Sequence, residues 1–199
     1  MKKAIVFITV TTVVSNLFLY CNQPEKKEQP LIASASLSPD SVVKRGQYLV
    51  TIMGCNDCHS PKVMGPNGPA PDPEKLLSGH PADMPLAKFD TTTAKNWFLF
   101  NPTLTAIVGP WGISYTANIT SDATGIGSWT EQQFFKAIRE GKYKGLDNTR
   151  PLLPPMPWQE IARCNDDDLK AIFAYLKSTK PVKNVVPTAV INMPPPGKQ

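Results

Sequence analysis

Cys55-Asn56-Asp57-Cys58-His59 is the stretch on which the fold turns. Two cysteines three positions apart lie about one helical turn from each other. Both thiols can then reach the two vinyl groups along one edge of a haem and form thioethers. His59 follows at once, so its imidazole can point under the porphyrin and bind iron. Covalent attachment keeps the group from dissociating and lets a small domain use the macrocycle as part of its core. Two other readings compete. A redox C-x-x-C opens a helix after a strand, whereas this pair follows a helical pattern and precedes a histidine. A structural zinc site needs four ligands, and Cys164 and His80, the only plausible additions, stand at unhelpful spacing. The 199 residues hold one such motif, which predicts a single c-type haem.

Working outward, the pattern predicts four helices. The first runs about Ser41 to Met53, with Asp40 as its N-cap and Val43, Gly46, Gln47 and Val50 on one face. A weak second covers Asp72–Leu77. Thr130-Glu131-Gln132-Gln133 has capping-box form, with Phe134, Phe135 and Ile138 inside and Gly141 as the stop. The last begins at Asn165, with Asp166, Asp167 and Asp168 favoured by the dipole in its first turn. Leu169, Ile172, Phe173 and Leu176 form its apolar stripe, and Pro181 ends the segment. Trp97–Thr120 is aromatic and β-branched but punctuated by Pro102, Gly109, Pro110 and Gly112, which predicts a small hairpin or ordered loop.

Composition narrows the class. Proline is the outlier, at 21 of 199 residues, about twice average usage. That excludes a long-helix bundle or coiled coil and favours short helices joined by stiff loops. The net charge of +5 is not gathered into basic tracts, so no nucleic-acid partner is expected. Lys2 and Lys3 precede the apolar run Ala4–Tyr20, which reads as an export signal over residues 1–20. Cys21 ends that run like the acylated first residue of a bacterial lipoprotein, although Tyr20 stands where a small residue is usual. Residues 21–38 read as a flexible tether, 39–182 as the folded body and 183–199 as a proline-rich extended tail.

With these residues in view the chain resembles the class I c-type cytochromes, and in particular the cytochromes associated with bacterial membrane-bound alcohol and sugar dehydrogenases. The resemblance lies in Arg45-Gly46-Gln47-Tyr48-Leu49, Asn118–Asp122, Thr124–Thr130, Phe134–Gly141, Leu152–Trp158 and Asp167–Leu176. It covers most of 40–182, and Lys62–Pro110 matches poorly. Those dehydrogenase subunits carry several haems, whereas this chain has one motif, which favours a free-standing carrier. The resemblance implies an all-α fold, the class I cytochrome c fold, with haem c in a central crevice and a small irregular or hairpin insertion. It also implies that Gly46 lets the first helix cross the last near Phe173 or Leu176.

The family needs a second axial ligand. Of six methionines, Met1 and Met193 lie in the signal and tail, Met53 is too near the motif, and Met64 and Met84 sit in loops soon after it. Met156 follows about a hundred residues later, between Pro154, Pro155 and Pro157. Prolines fix φ and lower the entropy of presenting a thioether, and the family position agrees. His80 is a rival ligand, set against its reading as a surface-loop histidine. Trp129 is placed to bond a haem propionate through its indole N–H, more so than Trp111 or Trp158, with core packing as the alternative. Cys164 reads as a staple thiol against Leu169. Asn118-Ile119-Thr120 matches a glycosylation sequon that carries little weight here. Lys62, Lys136, Lys142 and Lys144 could ring an exposed haem edge and steer acidic partners.

His59/Met156 ligation leaves no open iron site, which predicts an electron carrier rather than an enzyme. The expected protein is a periplasmic, lipid-anchored, monohaem cytochrome exchanging single electrons with redox proteins such as a dehydrogenase or oxidase. The alternatives are a haem enzyme or gas sensor with an open axial site, which requires that Met156 not bind iron, and an electron-accepting subunit docked permanently on a dehydrogenase.

Overall fold

The computed structural model describes residues 38–191. The export segment, Cys21, most of the tether and residues 192–199 lie outside them. Helix α1 spans Pro39–Ile52, and α2 is the single turn Cys55–His59. Strands β1 (Lys62–Gly65) and β2 (Gly68–Pro71) follow as a hairpin. After α3 (Thr91–Ala94) come β3 (Leu99–Phe100), β4 (Ala106–Gly109) and β5 (Gly112–Tyr115). The chain continues through α4 (Glu131–Arg139), a 3-10 turn at Tyr143–Gly145, α5 (Trp158–Ile161), α6 (Asp166–Ser178) and β6 (Val190–Ile191).

The helices start where their caps dictate. Ser38 Oγ, not Asp40, accepts from the Ser41 N–H, with Pro39 at the first helical position where its missing N–H costs nothing. Asp40 instead pairs with Lys44 one turn on. Thr130 Oγ1 accepts from Gln133 N at 3.1 Å. The Gln133 amide does not return to the cap but donates to Lys144 O at 2.8 Å, so it ties α4 to the 3-10 turn. Asn165 Oδ1 accepts from Asp168 N at 2.7 Å. No helix forms over Asp72–Leu77. Leu77 sits at φ 60°, buried, with its N–H donating to Ser60 Oγ at 2.8 Å.

The main core joins Leu49 and Val50 of α1, Leu77, Ile126, Phe134 and Ile138 of α4, and Leu169, Ile172 and Leu176 of α6. Its most extensive helix contact is between α1 and α6. The two cross at Gly46, where a Cβ would overlap Ala171 O and stand 2.7 Å from Tyr175 Cβ. The crossing is thus at Ala171 and Tyr175 rather than Phe173 or Leu176. Arg45 Nε donates to Asp168 Oδ1 at 2.8 Å across the same junction.

The fold is mixed α/β, which corrects the all-α expectation. Besides the β1–β2 hairpin, an antiparallel sheet runs in the order β3-β4-β5-β6. The segment expected as a small hairpin insertion is the centre of this sheet. All four residues of β4 are buried, and buried backbone groups must be paired. β4 pairs with β5 from Ala106↔Tyr115 to Gly109↔Gly112, and Gly112 at φ 119° turns the chain. A side chain at Gly109 would collide with the Trp111 ring. Trp111 folds back there onto Ile107 and Leu153, making a second small core. β6, in the stretch expected to be an extended tail, pairs with β5 on its other side.

His80 is fully buried, against Tyr115, not exposed on a surface loop. Its Nε2 lies 3.1 Å from Met84 O and its Nδ1 2.9 Å from Thr105 Oγ1. A carbonyl only accepts, so Nε2 carries the proton. Burial pushes the imidazole below its ordinary value of 6.5, so at neutral pH Nδ1 is bare and accepts from the threonine.

Two outcomes are expected. Gly46→Ala forces the helices apart and lowers stability by about 3 kcal/mol, read as a shift of the denaturant midpoint at unchanged slope. Neutral His80 contributes stability that is complete above the unfolded-state pKa of about 6.5 and is lost as pH falls toward the lower folded value. The unfolding free energy therefore drops from pH 7.5 to 5.0, and His80→Gln flattens that dependence. An identical slope in both proteins would assign the pH dependence to other groups.

Candidate functional site

The site begins where α1 ends. Gly54 takes φ 67°, a left-handed conformation natural to glycine, and a Cβ there would press on the Asp57 carboxylate at 2.7 Å. The chain thus turns from α1 straight into α2, whose single turn carries Cys55, Cys58 and His59. No disulfide joins the cysteines. Burial pushes the Cys55 thiol up to about 11 and raises Cys58 as well. Both are protonated at neutral pH, the opposite of the depressed values that make a redox C-x-x-C reactive.

His59 is held by a backbone group. Its Nδ1 lies 2.8 Å from Ala117 O, and since a carbonyl only accepts, Nδ1 carries the proton. That fixes the tautomer and leaves Nε2 bare for a metal. Burial lowers the pKa of His59, which favours the neutral, ligating form. Ser60, fully buried, donates to Asn56 Oδ1 at 2.7 Å. Lys62 Nζ folds back to donate to the carbonyls of Asn56, Asp57 and Ser60. It thereby caps the unpaired carbonyls at the end of α2.

Met156 arrives from the far side of the sequence. It packs against the same main core as Cys55 and Trp129. Its loop is anchored to the sheet: Ser114 Oγ of β5 donates to Pro154 O at 2.8 Å, and Leu153 is part of the Trp111 core. The sheet, in a segment whose pattern predicts no more than a hairpin or loop, is what holds the methionine. Trp111 Nε1 donates to Ser114 Oγ at 3.4 Å, so that indole is committed inside the sheet. Trp129 is half-buried against the main core, and Trp158 covers Gly141.

The remaining candidates separate from the site. His80 has both ring nitrogens engaged by Thr105 and Met84 and is not free to ligate. Cys164 packs, half-buried, against the core that contains Leu169. Asn118 is buried, with its amide donating to Thr124 Oγ1 and Val182 O, so it is no exposed sequon. Lys136 is paired with Asp147. With Lys62 turned inward, two of the four lysines of the expected docking ring are already engaged. Three groups that sequence reasoning missed are the Ala117 carbonyl, the Ser114 hydroxyl and the Lys62 cap. The first is backbone and has no side-chain signature, the second depends on a strand that meets a loop forty residues on, and the third on a local turn that folds Lys62 back over α2.

The donor set fits a c-type haem. Two protonated thiols one turn apart, a neutral imidazole with one nitrogen committed and the other bare, and a thioether on the same core form that group's complement. Among the described residues no three His, Cys, Asp or Glu side chains gather as a metal cluster.

Residues 43–180 match the family model for cytochrome c. The chain is 31% identical over 154 residues to the gluconate 2-dehydrogenase cytochrome c subunit of Pantoea cypripedii, covering 77% of this chain and 25% of that protein. It is 30% identical over 152 residues to the cytochrome c subunit of the quinone-dependent alcohol dehydrogenase of Gluconobacter oxydans, covering 75% and 24%. A third similarity, at 29% over 171 residues, is to the fructose dehydrogenase cytochrome subunit of Gluconobacter japonicus, covering 84% and 28%. The chain therefore spans about a quarter of the length of these relatives. By its motif and by the extent of these matches, the chain belongs to the cytochrome c family.

Proposed function

We propose that the chain is a monohaem c-type cytochrome that carries single electrons on the periplasmic side of a bacterial membrane. The observation that carries this reading is the His59–Ala117 bond, which leaves Nε2 bare at the end of a C-x-x-C-H turn. Cys55 and Cys58 would hold the haem through thioethers, and His59 and Met156 would ligate its iron. When bound, the haem supplies a one-electron ferric/ferrous couple.

The protein's part is to keep that couple rigid and closed. Ala117 orients His59. Ser114 and the Leu153 contact pin the Pro154–Pro157 segment, so the thioether is presented with little freedom to leave. Two side chains held in this way would leave small molecules little access to a bound iron. Trp129 is placed against the same core, and a bond from its indole to a propionate is part of this proposal.

The relatives' names identify them as subunits of gluconate, alcohol and fructose dehydrogenases. We take a dehydrogenase of that kind as the electron donor. Lys2, Lys3 and the apolar run before Cys21 support export and acylation at Cys21. Among the described residues no helix is long and apolar enough to cross a membrane. A second reading, permanent docking on the dehydrogenase, is favoured by the exposed aromatics Trp97, Phe98 and Phe100, of which Trp97 is 65% exposed.

The protein matured with haem should show the weak near-infrared band of sulfur-to-iron ligation in its ferric form. Met156→Ala should abolish that band, admit carbon monoxide to the ferrous iron and lower the reduction potential. A wild-type protein with covalent haem, no such band and ready carbon monoxide binding would instead establish an open-site haem protein. Co-purification with a large dehydrogenase through a salt wash would favour the docked form over the free carrier.

A further inference from the structure

We propose that His80 is a positioning residue for the axial histidine: the turn it anchors holds the Ala117 carbonyl against His59 Nδ1 and so tunes how strongly that imidazole donates to iron. The proposal rests on the haem reading above and extends it to residues outside the motif.

The turn Ser78-Gly79-His80 lies directly behind the Ala117 peptide. Gly79 N donates to His59 O at 2.7 Å, and His80 N donates to Thr116 O at 3.0 Å. Just ahead of the turn, Leu77 O accepts from Ile119 N at 2.9 Å. The turn therefore grips the axial histidine's own backbone and both flanks of the peptide that supplies its acceptor. Gly79 adopts φ 77°, and a Cβ there would stand 2.5 Å from the Ala117 carbonyl carbon and 2.5 Å from Thr116 O. Only a bare glycine backbone can lie this close, so the Ala117 peptide is backed by the turn and has no room to retreat.

His80 fixes that turn in the interior. Its bonds form part of a chain with one direction. Asn101 Nδ2 donates to Thr103 Oγ1 at 2.8 Å, and the two threonine hydroxyls lie 2.7 Å apart. Since Thr105 spends its proton on His80 Nδ1, Thr103 must be the donor to Thr105. The chain ends with His80 Nε2–H on Met84 O. Thr105 is also bound to the acceptor segment, because its carbonyl accepts from Thr116 N at 2.9 Å. From the opposite side, Asn184 Nδ2 donates to Ser78 O at 2.7 Å and to His80 O at 2.9 Å. A leucine of similar size would fill the space. It would supply neither of the two directed bonds that set the turn's height above Ala117.

A short Nδ1–H···O bond raises the basicity of the ligating imidazole and favours the ferric state. Loosening the turn should lengthen that bond, speed exchange of the ring proton with solvent and raise the reduction potential. The test uses the full chain matured with haem and compares wild type with Thr105→Val, Asn184→Ala, His80→Ala and His80→Gln. The readouts are exchange of the His59 Nδ1–H proton by NMR of the ferrous protein, the reduction potential and the thermal midpoint.

Thr105→Val and Asn184→Ala, which leave the imidazole in place, should each speed exchange by about tenfold, the equivalent of one hydrogen bond, and shift the potential upward. His80→Ala should do so more strongly, and His80→Gln, which keeps a donor for Met84 O, should recover part of the loss. Lower thermal midpoints with unchanged exchange and potential in the two milder variants would overturn the proposal and leave His80 a packing residue. Those two variants decide the matter if His80→Ala does not fold. Wild-type protein without covalent haem would overturn the haem reading itself, and the tuning role with it.

Discussion

One hydrogen bond, from His59 Nδ1 to Ala117 O, links the two halves of this protein. On one side stand α1, the Gly54 turn and α2, which present two thiols and an imidazole. On the other stands the sheet, whose strand β5 runs into the Thr116–Ala117 segment. Without that bond the imidazole could rotate about its side-chain torsions, and either nitrogen could carry the proton. With it, one tautomer and one orientation remain. The acceptor is a backbone oxygen, so the identity that matters is not its own residue's but that of the neighbours that hold it, Gly79 and His80 among them.

The two cores divide the labour. The helical core gathers Leu49, Phe134, Leu169 and Leu176 with Cys55 and Met156 at its margin. The smaller core of Ile107, Trp111 and Leu153 belongs to the sheet and meets the loop just ahead of Met156. Ser114 reinforces that meeting by donating to Pro154 O. The insertion therefore supports the methionine loop. It also carries the exposed aromatics of the 97–100 stretch.

Most of the helical frame is legible in the sequence because its signals are local. Thr130 and Asn165 cap the helices that follow them, as their side chains predict, and Gly141 ends α4 at positive φ. The C-x-x-C-H turn carries its chemistry within five residues. What escapes is non-local. Strands β4 and β5 are legible as a hairpin, but β3 and β6 are two residues each, and no two-residue strand has a period to read. Ser38 displaces Asp40 as a cap because two good caps stand two residues apart, and Pro39 settles the choice. His80 has the look of a loop histidine because its neighbours are glycine and proline. Its burial comes from Thr105, Tyr115 and Met84, which are distant or cryptic in sequence.

The crossing at Gly46 also bears on the order of folding. It joins residue 46 to residue 171, so the most extensive helix contact among the described residues closes a loop of about 125 residues. Such long-range closure carries a large entropic cost before any contact repays it. The helical core cannot be completed until α6 has been made and has come back to α1. Cys55–His59 lies within that loop, just beyond the crossing, on a chain that stays open until its last helix docks. The topology thus leaves the two thiols on an open chain until the last helix docks.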